Sequence, residues 1–185
     1  MDILDEIKMH EDVVHSFKIN CREDLEQITK LCVSCINAGN KILLCGNGGS
    51  AADSQHIAAE FVGRFYKERR SLPAIALTTD TSILTAVGND YGYDDIFRRQ
   101  VEGMGKTGDV LIGISTSGNS KNVIKAFEEA KKMGIHTVAF TGSKSSQAEK
   151  IAEITMKVPS EVTARIQECH ILAGHIICAF VDADY

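Results

Sequence analysis

The sequence predicts an α/β protein of the doubly wound kind. Five parallel strands carry helices on both faces, with an N-terminal helical arm ahead of the sheet and one long C-terminal helix after it. Two observations carry the prediction. Short apolar runs at 41–45, 74–77, 109–114, 135–140 and 154–158 alternate with segments of helical length near 52–66, 81–104, 119–133 and 145–152. That alternation marks parallel strands buried under crossover helices. Both prolines of the chain, Pro73 and Pro159, fall beside these strands and interrupt no helix. With the strand order 2-1-3-4-5, the ends of strands one and three meet at the switch-point crevice where such sheets bind ligands.

Residues 1–40 form the arm. Ile3, Leu4, Ile7, Val14 and Phe17 make one helical stripe, and Leu25, Ile28, Leu31, Cys32, Cys35 and Ile36 a second. The run from Asn20 to Asp24 is the expected break, and Gly39 suits a helix C-cap. Such an arm either covers the sheet or packs against a second subunit, and its pattern leaves both open. Residues 41–160 form the α/β core, and 161–185 are dominated by an amphipathic helix from Glu161 to about Asp182. No repeat or linker divides the 185 residues, so a single domain (1–185) is expected.

Charge and composition narrow the function. A net charge of −5 opposes a general nucleic-acid surface. The first residues are acidic where a signal peptide needs positive charge, and no apolar run approaches the ~20 residues of a membrane span. The six cysteines then read as reduced thiols of a cytoplasmic protein. Cys32 and Cys35 lie inside a helical segment, which favours packing over redox chemistry. His170, beside Cys169, has no second Cys-x-x-Cys with which to bind a metal.

Polar chemistry concentrates in three stretches. The first, Gly46-Asn47-Gly48-Gly49-Ser50, joins the first strand to a helix. Its glycines let the backbone approach a ligand, and the amides of a helix start favour an anion. Asn47 and Ser50 add hydrogen-bonding side chains. His56 and Glu60, four residues apart, share one helix face, as an acid/base or metal-binding pair or as a solvated contact. The stretch also satisfies a dinucleotide fingerprint with Asp80 as the ribose acid, but Asp80 lies beyond the roughly 20 residues expected.

In the second stretch, Ser115-Thr116-Ser117-Gly118-Asn119-Ser120, four hydroxyls and a glycine follow the third strand. They form a nest suited to a phosphomonoester, with Ser120 or Asn119 capping the next helix. The third stretch is the last helix, where Gln167 and His175 are eight residues apart on roughly one side. His175 sits among Ile171, Leu172, Ile176 and Ile177, so by itself it reads as a core histidine. Facing the His56/Glu60 helix, it becomes a ligand or an acid. His56, Glu60, Gln167 and His175 offer nitrogen and oxygen donors that zinc accepts, provided the two helices meet.

Taken in order, these motifs, with Val87-Gly88-Asn89-Asp90 and Arg165-Ile166-Gln167-Glu168, resemble the phosphoheptose isomerase family of the sugar isomerase (SIS) fold over essentially the whole chain. The resemblance implies a homotetramer that converts sedoheptulose 7-phosphate to D-glycero-D-manno-heptose 7-phosphate, the first step towards ADP-heptose for lipopolysaccharide or another surface polysaccharide. It implies one zinc per subunit at His56, Glu60, Gln167 and His175. It also implies substrate contacts at Asn47, Gly48, Gly49, Asn89, Asp90, Ser115, Thr116, Ser117 and Ser120. Ser50, Glu60 and Gln167 join that set here. Some members carry an Asp before the Arg-Ile-Gln-Glu run, where this chain has Ala164.

The chemistry can be stated independently. Exchanging a ketose and an aldose moves a proton between C1 and C2 through an enediol, which needs a base, an acid and a group that holds negative oxygen. Glu60 is the expected base and His175 its acid/base partner, with zinc polarising the sugar oxygens. Asp90 binds sugar hydroxyls or merely turns the chain. Arg64 either counters the phosphate or is solvated. A non-catalytic sugar-phosphate binding module or replication-initiation regulator on the same fold is the alternative. Relatives of that kind lack the Glu and the final His.

Overall fold

Strands that are apolar on both faces require cover on both faces, and the computed structural model, which describes residues 2–185, supplies it. The strands are β1 (Ile42–Gly46), β2 (Ala74–Ala76), β3 (Val110–Ile114), β4 (His136–Thr141) and β5 (Ile154–Lys157). They stand in the order β2-β1-β3-β4-β5, and every neighbouring pair is parallel. This is the predicted doubly wound order. Side chains alternate across it: Ile42, Leu44, Val110, Ile112 and Val138 pack to one side, Leu43, Cys45, Leu111 and Ala139 to the other.

The helices are α1 (Ile3–Asn20), α2 (Arg22–Asn37), α3 (Gly49–Val62), α4 (Thr81–Asp90), α5 (Arg98–Met104), α6 (Lys121–Lys132), α7 (Gln147–Ile151) and α8 (Thr163–Ala183). The first side is covered by α2, α3 and α8, the second by α5 and α6. The stripe of α2 is core as expected, but that of α1 is only half so. Phe17 is buried and Val14 half-buried, whereas Ile3, Leu4 and Ile7 are 77%, 70% and 50% exposed.

Three expectations change. The segment 81–104 is not one helix. It breaks after Asp90, where Gly92 takes φ +94°, a 3-10 turn (Tyr93–Asp95) follows, and α5 then begins. A side chain is strained at that φ, so the glycine sets the break. The helix after β1 starts at Gly49 rather than near 52 and ends at Val62. By length and composition α8 would suffice to cross a membrane, contrary to the sequence reading, yet half of its apolar window is buried in the fold. It is a core helix.

The cysteines are all free and buried. His170 is fully buried beside them, and its Nε2 donates to the carbonyl of Thr141 at 3.2 Å, pinning α8 to the end of β4. Its Nδ1 has no partner among the described residues. Burial pushes the imidazole down to about 4, against the smaller upward pull of the Thr141 carbonyl. The unfolded chain therefore binds a proton between about pH 6.5 and 4 that the folded chain refuses. Stability from this group is full above pH 6.5 and falls with acid, by about 3 kcal/mol at pH 4. Urea unfolding at pH 7 and pH 5 should show the slope in the native chain and a flatter one in His170→Asn. Equal slopes would remove His170 as its source.

Candidate active site

The site begins where β1 and β3 end side by side. At Gly46 an added Cβ would stand 2.9 Å from the carbonyl oxygen of Ile114 and 2.8 Å from the Cβ of Ser50, so this glycine lets strand and helix close up. Gly48 takes φ +58°, ψ −123°, a conformation open to glycine and costly for other residues. Gly49 then opens α3, where the amides of Ser50 and Ala51 turn back onto the carbonyls of Asn47 and Gly48 at 3.1 and 3.0 Å. Asp80 is not a ribose ligand: it caps α4, accepting from the Ile83 amide at 2.9 Å.

Across the crevice three of the four expected hydroxyls, those of the serines, converge. Ser115 Oγ lies 2.9 Å from Ser120 Oγ and 3.5 Å from Ser117 Oγ, and the amide of Asn119 donates to Ser117 Oγ at 3.2 Å. Neither expected cap forms through its side chain. Ser120 holds the N-cap position of α6 without a side-chain cap bond, and Asn119 instead accepts from the amide of Gln147 at 3.0 Å. The serine hydroxyls are therefore bonded largely to one another and can turn to a phosphate without unmaking the helix. Thr116 and Ser117 also line a polar cavity of about 230 Å³ with Ser143, Lys144, Ser160 and Thr163.

Close packing of α3 on α8, through a glycine of each helix against a side chain of the other, brings the third stretch in. A Cβ on Gly49 would meet the Gln167 amide nitrogen at 2.6 Å, and one on Gly174 would meet Ile57 Cγ1 at 2.6 Å. One residue along each helix from the second contact, His56 Nε2 and His175 Nε2 are 2.9 Å apart, and Glu60 Oε1 is 3.4 Å from His56 Nε2. Phe65 stacks on His175 with ring centroids 5.6 Å apart. His175 is thus half-buried at the site rather than sealed in the core. Gln167 lies about two turns along α8 from it, over the start of α3.

Among the described residues no group of three or more His, Cys, Asp or Glu side chains stands ready to hold a metal ion. His56, Glu60 and His175 come nearest, with His56 in the middle. Two ligands of one tetrahedral zinc stand roughly 3.3–3.6 Å apart for bonds of about 2.0–2.2 Å. The 3.4 Å separation of Glu60 and His56 falls on that edge, whereas the two imidazoles at 2.9 Å would have to part slightly. Without a cation the two imidazole nitrogens share a proton, where a metal fits the same lone pairs. Asp53, one turn earlier on α3, has a buried oxygen without a partner, and burial raises its pKa against the opposing pull of His56. The donor set suits a cation.

Asn89 and Asp90 close α4 and are exposed, with Asn89 Nδ2 donating to Asp90 Oδ1 at 2.8 Å. Their link to the crevice is Tyr93, whose hydroxyl donates to Asn47 Oδ1 at 3.0 Å. Arg64 is 61% exposed beside Glu68, the solvated alternative. Ala164 is exposed in the first turn of α8. Sequence reasoning gave no role to Asn122, which pairs with Asn47 and ends the same run two residues after Ser120. It also missed Arg69, which donates to the carbonyls of Glu60 and Phe61 at 2.9 Å each and pairs with Asp182 at 2.7 Å.

The SIS domain family matches residues 7–142. The phosphoheptose isomerase of Sulfurimonas denitrificans is 58% identical over 165 residues, which cover 89% of this chain and 85% of that one. The solved phosphoheptose isomerase of Neisseria gonorrhoeae superposes with a TM-score of 0.93 at 43% identity, covering 98% of this chain and 97% of its own. That of Francisella tularensis gives 0.90 at 38% identity, covering 99% and 100%. A crevice built by the same fold over nearly the full length of both solved chains, in a sequence more than half identical to a third, places this protein in the phosphoheptose isomerase family of SIS domains.

Proposed function

We propose that the protein is an aldose–ketose isomerase converting sedoheptulose 7-phosphate to D-glycero-D-manno-heptose 7-phosphate through an enediol. The observation that carries this is the approach of His56 to both His175 and Glu60, together with a serine nest at the end of β3, in a chain of this family. The nest and the start of α3 bind the phosphate and sugar oxygens. Glu60 keeps one carboxylate oxygen towards His56, leaving the other to take the C1 proton, and His175 serves oxygen protonation. His56, Glu60 and His175 would hold one zinc, which supplies Lewis acidity towards sugar oxygens when bound. Gln167, seated at Gly49, serves the substrate in this conformation.

The exposed apolar residues of α1 and Phe180, with a groove of about 590 Å³ between α1, α2 and α8, support a homotetramer, which sedimentation equilibrium reads directly. Six free thiols support a cytoplasmic enzyme at the head of ADP-heptose supply, and fractionation of cells tests the location.

The function is tested by assaying purified protein on a panel of ketose phosphates while measuring bound metal. Turnover of sedoheptulose 7-phosphate with near-stoichiometric zinc is expected, and His175→Ala should lower both. Full activity without zinc would refute the metal and leave the acid/base roles. Binding without turnover of any ketose phosphate would make this a binding module.

A further inference from the structure

Asn47 is the one polar side chain of the first loop whose direction is dictated from outside that loop. Its Nδ2 donates to Asn122 Oδ1 at 3.0 Å, and Asn122 Nδ2 donates back to Asn47 Oδ1 at 2.9 Å. Taken alone, such an amide pair is equally satisfied with both groups flipped. The main chain breaks the tie. The amide of Val123, also directed at the Ser120 carbonyl, donates to Asn122 Oδ1 at 3.0 Å and can only donate. Asn122 Nδ2 must then face Asn47, and Asn47 must answer with its oxygen, which the Tyr93 hydroxyl engages a second time. One N–H of Asn47 is left without a partner among the described residues. Asn122 itself is 3% exposed and out of a ligand's reach.

We infer that Asn122 is a positioning residue. Through Val123 it sets the amide of Asn47 so that an N–H, and not a carbonyl, meets the substrate. The crevice thereby takes a substrate oxygen that only accepts, a phosphate oxygen above all, and disfavours a hydroxyl donor at that point. This rests on the isomerase reading of the site.

The test reverses the relay with acid. In Asn122→Asp the ionised side chain places an oxygen against Asn47 Oδ1, and the amide is driven out of line. Protonation restores a donor there. The surrounding titratable groups are Tyr93, Asp94 and Asp95 in the 3-10 turn, and Lys121 and Lys125 on α6, with Lys125 bound to Asp95 at 2.7 Å.

With sedoheptulose 7-phosphate, KM relative to the native chain should rise about tenfold or more at pH 8, with kcat within about threefold. That ratio should shrink to about threefold or less at pH 6. Asn47→Asp lacks the substrate-facing N–H at every pH, so its KM ratio should stay high while its thermal deficit shrinks with acid. A KM ratio for Asn122→Asp that ignores pH, or a parallel recovery of KM in Asn47→Asp, overturns the relay. Should Asn122→Asp fail to fold, an acid-insensitive thermal deficit in Asn47→Asp overturns it instead. Loss of turnover in the native chain would defeat the isomerase reading, whereas normal native turnover with a flat ratio defeats only this inference.

Discussion

Glu60→Gln is expected to lower turnover by about 10²–10⁴-fold while sedoheptulose 7-phosphate still binds. Glutamine keeps the length of the side chain and an oxygen towards His56 but cannot accept the C1 proton. The geometry makes the effect separable from folding. Glu60 is three-quarters buried and, among the described residues, its ion-pair partner is His56 at 3.4 Å, an i,i+4 pair whose structural worth is a few tenths of a kcal/mol. A deuterium at C1 of the ketose should pass partly to C2 or exchange with solvent in the native chain, and do neither in the variant. Equal turnover in both would end the case for Glu60 as base.

The second large effect concerns stability. Asp182→Ala should destabilise the fold by about 3–5 kcal/mol in urea unfolding, because it strands a buried guanidinium. Arg69 and Asp182 side chains are 3% and 1% exposed and pair at 2.7 Å. The carboxylate also accepts from the amides of Tyr66 and Lys67 at 3.0 and 2.7 Å, which orders the chain between α3 and β2. Burial pushes the Asp182 carboxyl up, but the Lys67 amide, Arg69 and the Tyr66 amide outweigh this and hold its pKa below the usual range. Its contribution is present above the unfolded carboxyl pKa and is lost as pH falls through the depressed folded value. Replacing both partners by apolar residues should recover only part, since Arg69 also bonds the carbonyls at the end of α3. A loss below about 1 kcal/mol in Asp182→Ala would show the pair to be dispensable.

Periodicity made the sheet legible, because strands buried on both faces write themselves as apolar runs such as Leu43–Cys45 and Val110–Ile112. The anion loops were legible for a related reason: glycines and hydroxyls are rarely massed at a strand end unless the backbone must approach something. What stayed hidden depends on contacts far apart in sequence. Nothing near Arg69 announces Asp182, 113 residues on. Nothing in the spacing of Gln167 and His175 tells that one lies over Gly49 and the other against His56, since spacing along a helix fixes a face and not a neighbour. The apolar stripe of α1 likewise predicts burial without saying whether this chain supplies the cover.

The two glycine contacts that seat α8 on α3 have a consequence for anyone wishing to redirect the enzyme. Because a methyl group at Gly49 or Gly174 would reach the Gln167 or Ile57 side chain within 2.6 Å, any larger residue there must first displace that side chain, and with it the fit between the helix start and the histidine pair. Selection for shorter or longer sugars has little to adjust there. The adjustable part is the mouth formed by Ser143, Lys144 and Ser160, on the loops after β4 and β5. Libraries aimed at chain length belong at that mouth, with both helices left untouched.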